Sequence, residues 1–157
     1  MHVFDRHLFY LSVCESFLSG KLRITDRQLT AQIVSLIIHA EMKVEQNIHQ
    51  VLLRYQDYLP EASPWRGDSE LRWLIFPELE KLDGVSKAVA EYRLIQMVDS
   101  LLLYGASYHT ARNSVGTSLN IAVTSSGIVF FSEDWNELKR SEPIVSFWKA
   151  YGLWFAS

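Results

Sequence analysis

Gly84-Val85-Ser86-Lys87-Ala88-Val89-Ala90-Glu91-Tyr92-Arg93-Leu94-Ile95-Gln96-Met97-Val98-Asp99-Ser100-Leu101-Leu102-Leu103-Tyr104-Gly105-Ala106 contains the point at which the hydrophobic pattern of the chain changes. Up to Gly105 the apolar residues recur with a helical period; beyond it they come in short runs of strand type. Ser86 stands where an N-cap hydroxyl would accept an orphan backbone amide, and Gly105 where a left-handed C-terminal cap is expected. Between them Val89, Tyr92, Leu94, Ile95, Met97, Val98, Leu101 and Leu102 cover more than half of the circumference. So wide an apolar face predicts a helix at the centre of a bundle.

Toward the N-terminus, four more helical runs precede this one. Phe4, Leu8, Leu11, Cys14 and Leu18 share a helical spacing, and Gly20 closes that segment. Thr25-Asp26-Arg27-Gln28 has the form of a capping box, with Leu29, Ile33, Leu36, Ile37 and Ala40 on one face behind it. The stripe resumes at Val44, Ile48, Val51, Leu52 and Tyr55 with no Gly or Pro between, so the break between the two runs has no sequence marker. Pro60-Glu61-Ala62-Ser63-Pro64-Trp65-Arg66-Gly67 reads as a surface loop. A helix from Ser69 to Leu82 follows, kinked or split by Pro77 and ended by Asp83-Gly84.

Downstream of Gly105 the expected strands are Ala106 to Arg112, Ser118 to Val123 and Ile128 to Ser132. The polar clusters at Asn113-Ser114-Val115-Gly116 and Thr124-Ser125-Ser126-Gly127 each end in the glycine that a hairpin needs at positive φ. Helices first and antiparallel strands second make the α+β class. Three strands do not close a barrel, so the sheet is expected to be incomplete, with an open edge and an aromatic tail from Pro143 to Ser157 that need a partner.

Composition narrows the function. With 48% hydrophobic and 21% charged residues the chain is of ordinary globular type, and 157 residues can bury a core without staples. A net charge of -3 lacks the cationic surplus of a nucleic-acid binder. Cys14 is the single cysteine, which removes an internal disulfide and any cysteine-based zinc site and fits a reducing, cytoplasmic compartment. The apolar stretch from Val3 to Leu18 is interrupted by Asp5, Arg6, His7 and Glu15, so it is neither a signal core nor a membrane span.

Catalytic and metal chemistry find no footing in the motifs. His39, Glu41, Glu45 and His49 come closest to a ligand cluster, but on one helix His39 and His49 would stand about 15 Å apart, and HExxH is absent. Gly105-Ala106-Ser107-Tyr108-His109 lacks the second glycine of a hydrolase elbow and precedes a strand. None of the seven glycines has phosphate-loop spacing. No catalytic, cofactor-binding or metal-binding residue is therefore assigned, and no cofactor is expected. Tyr108 and His109 alternate on a strand, one toward a core and one toward water. Trp65 beside Arg66 is read as folded back over the bundle in preference to an exposed contact point.

Several of these segments resemble one family. His7-Leu8-Phe9-Tyr10-Leu11 with Gly20-Lys21-Leu22 resembles the opening helix of the FERM central lobe, and Tyr58-Leu59-Pro60 its mid-lobe boundary. Gly84-Val85-Ser86, Ala90-Glu91-Tyr92-Arg93-Leu94 and Leu103-Tyr104-Gly105-Ala106 are similar to the last helix of that lobe and the turn that leaves it. Gly116-Thr117-Ser118-Leu119-Asn120-Ile121-Ala122-Val123 and Gly127-Ile128-Val129 are similar to the first strands of the PH-like third lobe. The resemblance covers roughly residues 5 to 135. Within the family, Ala90-Glu91-Tyr92 and Gln96-Met97-Val98 resemble the FERM region of the myosin-light-chain-interacting RING-type ubiquitin ligase and its insect relatives.

The resemblance implies an acyl-CoA-binding-protein-like helical bundle over residues 1 to 105, followed by a truncated PH-like sheet over residues 106 to 157. It further implies a non-catalytic adaptor that docks cytoplasmic tails of membrane proteins or cytoskeletal proteins, with peripheral contact to acidic lipids, in the manner of a ligase's substrate-recognition part. The alternative is a truncated product with no independent activity. Three departures accompany the expectation: no ubiquitin-like first lobe, no strand and helix of the third lobe that bind peptide tails in relatives, and no RING. A family glycine near Met42-Lys43-Val44 is also absent.

Overall fold

The computed structural model describes residues 3–42, 47–101, 104–112, 116–124, 127–132 and 137–141. The chain forms two compact units, Met1–Leu101 and Leu102–Ser157. The first is helical, with α1 (Val3–Leu18), α2 (Arg27–Glu41), α3 (Ile48–Leu52), α4 (Ser69–Glu80) and α5 (Lys87–Asp99), and a 3-10 turn at Tyr55–Tyr58.

At the centre stands α2, where Thr30, Ala31 and every residue from Ile33 to Ile38 are buried. It packs against both α4 and α5, and α1 packs against α5. The central position predicted for the helix after Ser86 is therefore occupied by α2. In α5 only Ala90, Glu91, Leu94 and Val98 are buried, while Val89 and Tyr92 are exposed. The physical reason lies in side-chain type: α2 from Ala31 to Ile38 carries only one long polar residue, Gln32, whereas Arg93 and Gln96 interrupt the wide face of α5. The N-cap of α2 is Asp26 and not Thr25; its carboxylate accepts from the Leu29 amide at 2.6 Å, while Gln28 reaches out to Glu78. The Ser86 hydroxyl caps α5 as expected, accepting from Val89.

The buried face of α1 is rotated away from the expected leucines, and of the expected stripe Cys14 is buried. Tyr10, Val13, Cys14 and Phe17 are buried, and Leu8, Leu11 and Leu18 are exposed. Apolar residues occur on both sides of this helix, so periodicity offers two solutions. The side carrying the two aromatic rings buries more area. Gly20, at φ +75, ends the helix with Leu22 N–H donating back to Ser16 O at 2.8 Å, a left-handed closure that side chains other than glycine resist.

The unmarked break after α2 falls between its cap, Met42, and Asn47, whose side chain caps α3 by accepting from His49 N–H; Val44 lies outside the described residues. Pro77 is accommodated inside α4 without splitting it, although it supplies no amide to the Trp73 carbonyl. Leu71, Ile75 and Leu79 form the buried stripe of α4.

The second unit is an antiparallel sheet of four strands in the order β1 (Ser107–Arg112), β2 (Ser118–Thr124), β3 (Gly127–Phe131) and β4 (Glu137–Ser141). The first three match the expected runs. The fourth, Glu137-Leu138-Lys139-Arg140-Ser141, has no apolar alternation to reveal it, a composition suited to an edge position. Register aligns Tyr108, Ala122 and Val129 across the sheet, and the Ala122, Val129 and Phe131 cluster takes in Tyr108 on one face. Ile128 and Phe130 pack with Ile121 and Val123 on the other. The aromatic segment 143–157 lies outside the described residues.

Candidate protein-docking surface

A polar brace ties α1 to α5. Arg6 Nε donates to Glu91 Oε2 at 3.2 Å, and His7 Nδ1 meets Glu91 Oε1 at 2.9 Å. Glu91 is buried, so its charge needs both partners. Below it Tyr10 and Cys14 are enclosed. Burial pushes the Cys14 thiol up to about 11 and drives the Tyr10 phenol upward as well. Such a thiol is a packing residue with little thiolate at neutral pH.

A second brace fastens the loop to the bundle. Arg27 bonds Asp68 and, at 2.9 Å, Glu70, and its guanidinium lies 5.6 Å from the Trp65 ring. Trp65 is thus folded against the bundle. Tyr55 donates to Asp68 O at 2.8 Å, and Arg66 donates to the Leu59 carbonyl.

The residues that came closest to a ligand cluster in the sequence are engaged separately where they are described. His39 Nε2 donates to Val85 O at 2.7 Å, the His49 ring stacks on Phe76 at 5.6 Å, and Glu45 lies outside the described residues. Among the described residues no group of three His, Cys, Asp or Glu side chains could hold a metal ion. On β1, His109 is exposed and Tyr108 packs into the sheet cluster.

Among the described residues, three hollows on the helical surface stand out. One of about 490 Å³ beside Glu41, Gln50, Arg54, Asp57 and Tyr58 is polar, with Arg54 and Asp57 paired at 2.8 Å. Another of about 330 Å³ lies among Gln32, Ser35, Lys81, Arg93 and Met97, with Lys81 bonded to Glu78. The third, about 300 Å³, is a groove between α3 and α4 with walls of Leu52, Leu53, Trp73 and Phe76. Leu53 and Trp73 on its lip are 72% and 68% exposed, the highest values among the large apolar side chains described. Sequence reading passed over this groove. The signal was present: Trp73 lies two residues from both Leu71 and Ile75, and so falls off the buried stripe of α4.

The sequence model of the FERM central domain matches residues 1–109, most of the chain. The chain belongs to the FERM family. This FERM chain is 28% identical over 127 residues to FERM, ARHGEF and pleckstrin domain-containing protein 1 of Gallus gallus, covering 80% of the chain and 12% of that protein. It is 23% identical over 129 residues to the Homo sapiens protein 2 of the same description, with 82% and 12% covered. The FERM chain therefore spans only 12% of the length of these curated relatives.

Solved FERM structures share the fold. The complex of the FERM and C-terminal domains of Drosophila Merlin superposes with a TM-score of 0.63 at 19% identity, over 90% of this chain and 49% of that one. The human myosin 7b C-terminal MyTH4-FERM domain, solved with the harmonin-a PDZ3 domain, gives 0.58 at 14% identity, over 85% and 29%. Helices and a small antiparallel sheet are thus the FERM arrangement expected from the sequence. In both neighbours a FERM domain is bound to another protein domain. Among the described residues no helix is long and apolar enough to cross a membrane.

Proposed function

We propose that this chain is a non-catalytic adaptor module that docks the cytoplasmic tails of membrane proteins or cytoskeletal proteins. The observation that carries this reading is the family match over residues 1–109. Two features of the molecule support it. Its buried Glu91 braces α1 to α5, and the largest apolar exposure among the described residues lines a groove on the surface.

In this reading residues 1 to 105 are the FERM central lobe, with an acyl-CoA-binding-protein-like bundle, and residues 106 to 157 begin the PH-like third lobe. The module works in the cytoplasm at the membrane periphery, with acidic lipids as secondary contacts. The kinship to a RING-type ligase drawn from Ala90-Glu91-Tyr92 and Gln96-Met97-Val98 makes substrate recognition one form that docking can take. Immobilised receptor tails should retain the purified chain, by itself or set within a complete three-lobe FERM domain. Failure of both forms to bind any tail across a broad panel would overturn the reading.

A further inference from the structure

The groove between α3 and α4 has features that select its occupant. Leu53 and Trp73 stand in water at 72% and 68% exposure, more than Leu8, Phe9, Leu11, Leu18, Val89 and Tyr92, the other exposed large apolar side chains described. Burying two such side chains removes apolar surface from water and is favourable. That gain is open to a partner because the groove is already shaped: Leu52 is buried beneath it, and the His49 ring is stacked on Phe76, 20° from parallel, at its side.

Charge distinguishes this hollow from the other two. The polar hollow contains Glu41 and Asp57, and the one between α2 and α5 contains Glu78. Among the described residues that line the α3/α4 groove, the only Asp, Glu, Lys or Arg side chain is Arg72, whose guanidinium lies 5.3 Å from the Trp73 ring. Arg72 has no carboxylate partner among the described residues; the nearby acids of α4 are engaged elsewhere, Glu70 with Arg27 and Glu78 with Lys81. A cation fixed over an indole and lacking an anion beside an apolar trough is complementary to a carboxylate next to an apolar side chain.

Shape selects among carriers of that chemistry. A space of about 300 Å³ takes one or two large side chains. Its walls are helices whose amides are spent on their own turns, so an extended strand would find little main-chain hydrogen bonding there. A helix presenting anchors at i, i+3 and i+4 needs none. A membrane surface fits less well, because one arginine supplies little attraction to anionic lipid and a concave trough encloses its ligand.

We propose that the α3/α4 groove is a docking site for an acidic amphipathic helix of a partner protein, anchored by an apolar side chain between Leu53, Trp73 and Phe76 and by a carboxylate on Arg72. This rests on the adaptor reading and gives it a location.

The test uses the full 157-residue chain. A labelled amphipathic peptide of about four helical turns, with leucines on one face and glutamates flanking them, is titrated beside a twin carrying lysines in place of the glutamates. The glutamate peptide should bind and move the amide signals of His49, Leu53 and Trp73. Trp73→Ala should abolish binding with an unchanged melting curve, since that side chain is exposed. Arg72→Glu should weaken the glutamate peptide about tenfold and shift the preference to the lysine twin.

The inference is overturned by equal affinity for both twins whatever stands at position 72, by signals that move on other elements, or by the absence of binding. Self-association through Trp73, or Trp73-dependent binding to phosphatidylserine-containing vesicles with the peptides inert, overturns it in favour of a second copy or a membrane. Tail capture that survives Trp73→Ala and Arg72→Glu sinks the groove and leaves the adaptor reading standing. Peptide binding without any tail capture does the reverse.

Discussion

The two units dispose of their apolar surface in different ways. The helical unit packs α4 and α5 against α2, and α1 against α5, so Ile33, Ile37, Leu71, Ile75 and Leu94 are sealed among helices of the same unit. In the sheet unit β3 is buried at all five positions, Val129 and Phe131 on one face and Ile128 and Phe130 on the other. An antiparallel sheet that needs cover on both faces cannot obtain it from one layer of its own strands. A bundle therefore has the means of independent stability, and a sheet of this kind depends on what packs against it.

The largest effect should come from separating the two. Residues 1–101 expressed alone should keep a cooperative thermal transition in far-UV circular dichroism. Residues 102–157 alone should show none, with amide signals bunched in the narrow range of an unfolded chain. A well-dispersed spectrum from the second piece would break the contrast, because it would mean that its strands and tail close a core unaided.

Next in size is a pair of substitutions within the helical unit. Ile37→Ala, at a fully buried position of α2, should cost about 3 kcal/mol in urea unfolding through lost burial and the cavity left behind. Val89→Ala on α5, where the side chain is 43% exposed, should stay within about 0.5 kcal/mol. Equal costs would restore the helix after Ser86 to the centre of the bundle.

That pair also tests what the sequence could reveal. The boundary at Gly105, the caps at Ser86 and Gly20, and three of the strands were legible because each depends on local chemistry: a hydroxyl, a glycine at positive φ, an alternation. The identity of the central helix and the buried face of α1 were not. Both depend on which of several apolar faces wins when helices compete for the same core, and period alone is silent on that when Leu8 and Leu11 stand opposite Tyr10 and Phe17. The fourth strand escaped because an edge strand needs no apolar stripe. The groove at Leu53 and Trp73 escaped for a related reason: an apolar residue off the stripe belongs to no period that would announce it.

Electrostatic and capping terms come third. Glu91→Ala removes the common partner of Arg6 and His7 and should destabilise the helical unit by about 2 kcal/mol, less than a fully buried pair because both partners reach solvent. Asp26→Ala should cost about 1 kcal/mol through the lost cap on the Leu29 amide. Thr25→Ala should cost less than Asp26→Ala, and the reverse order would return the cap to Thr25.

The smallest effect at neutral pH is a pH dependence, because it is confined to the alkaline side. Burial holds the Cys14 thiol up at about 11 against an ordinary value of 9.0, and it raises the Tyr10 phenol in the same direction. Each group gives up its proton more readily in the unfolded chain, so the unfolded state binds fewer protons than the folded one once these groups begin to titrate. The stability contributed by Cys14 is fully present below pH 9.0 and is lost as pH rises through 9.0 toward about 11. Urea midpoints taken across that window should fall, and Cys14→Ala should flatten the first part of the fall while Tyr10→Phe flattens the part that follows. A thiol reagent supplies a second reading, because it attacks the thiolate. Below pH 9.0 modification of Cys14 should be slow in the folded chain and rapid in urea. Rapid modification without urea would mean that α1 opens locally from the bundle, and the contrast between a self-sealed helical unit and a dependent sheet would lose its first half.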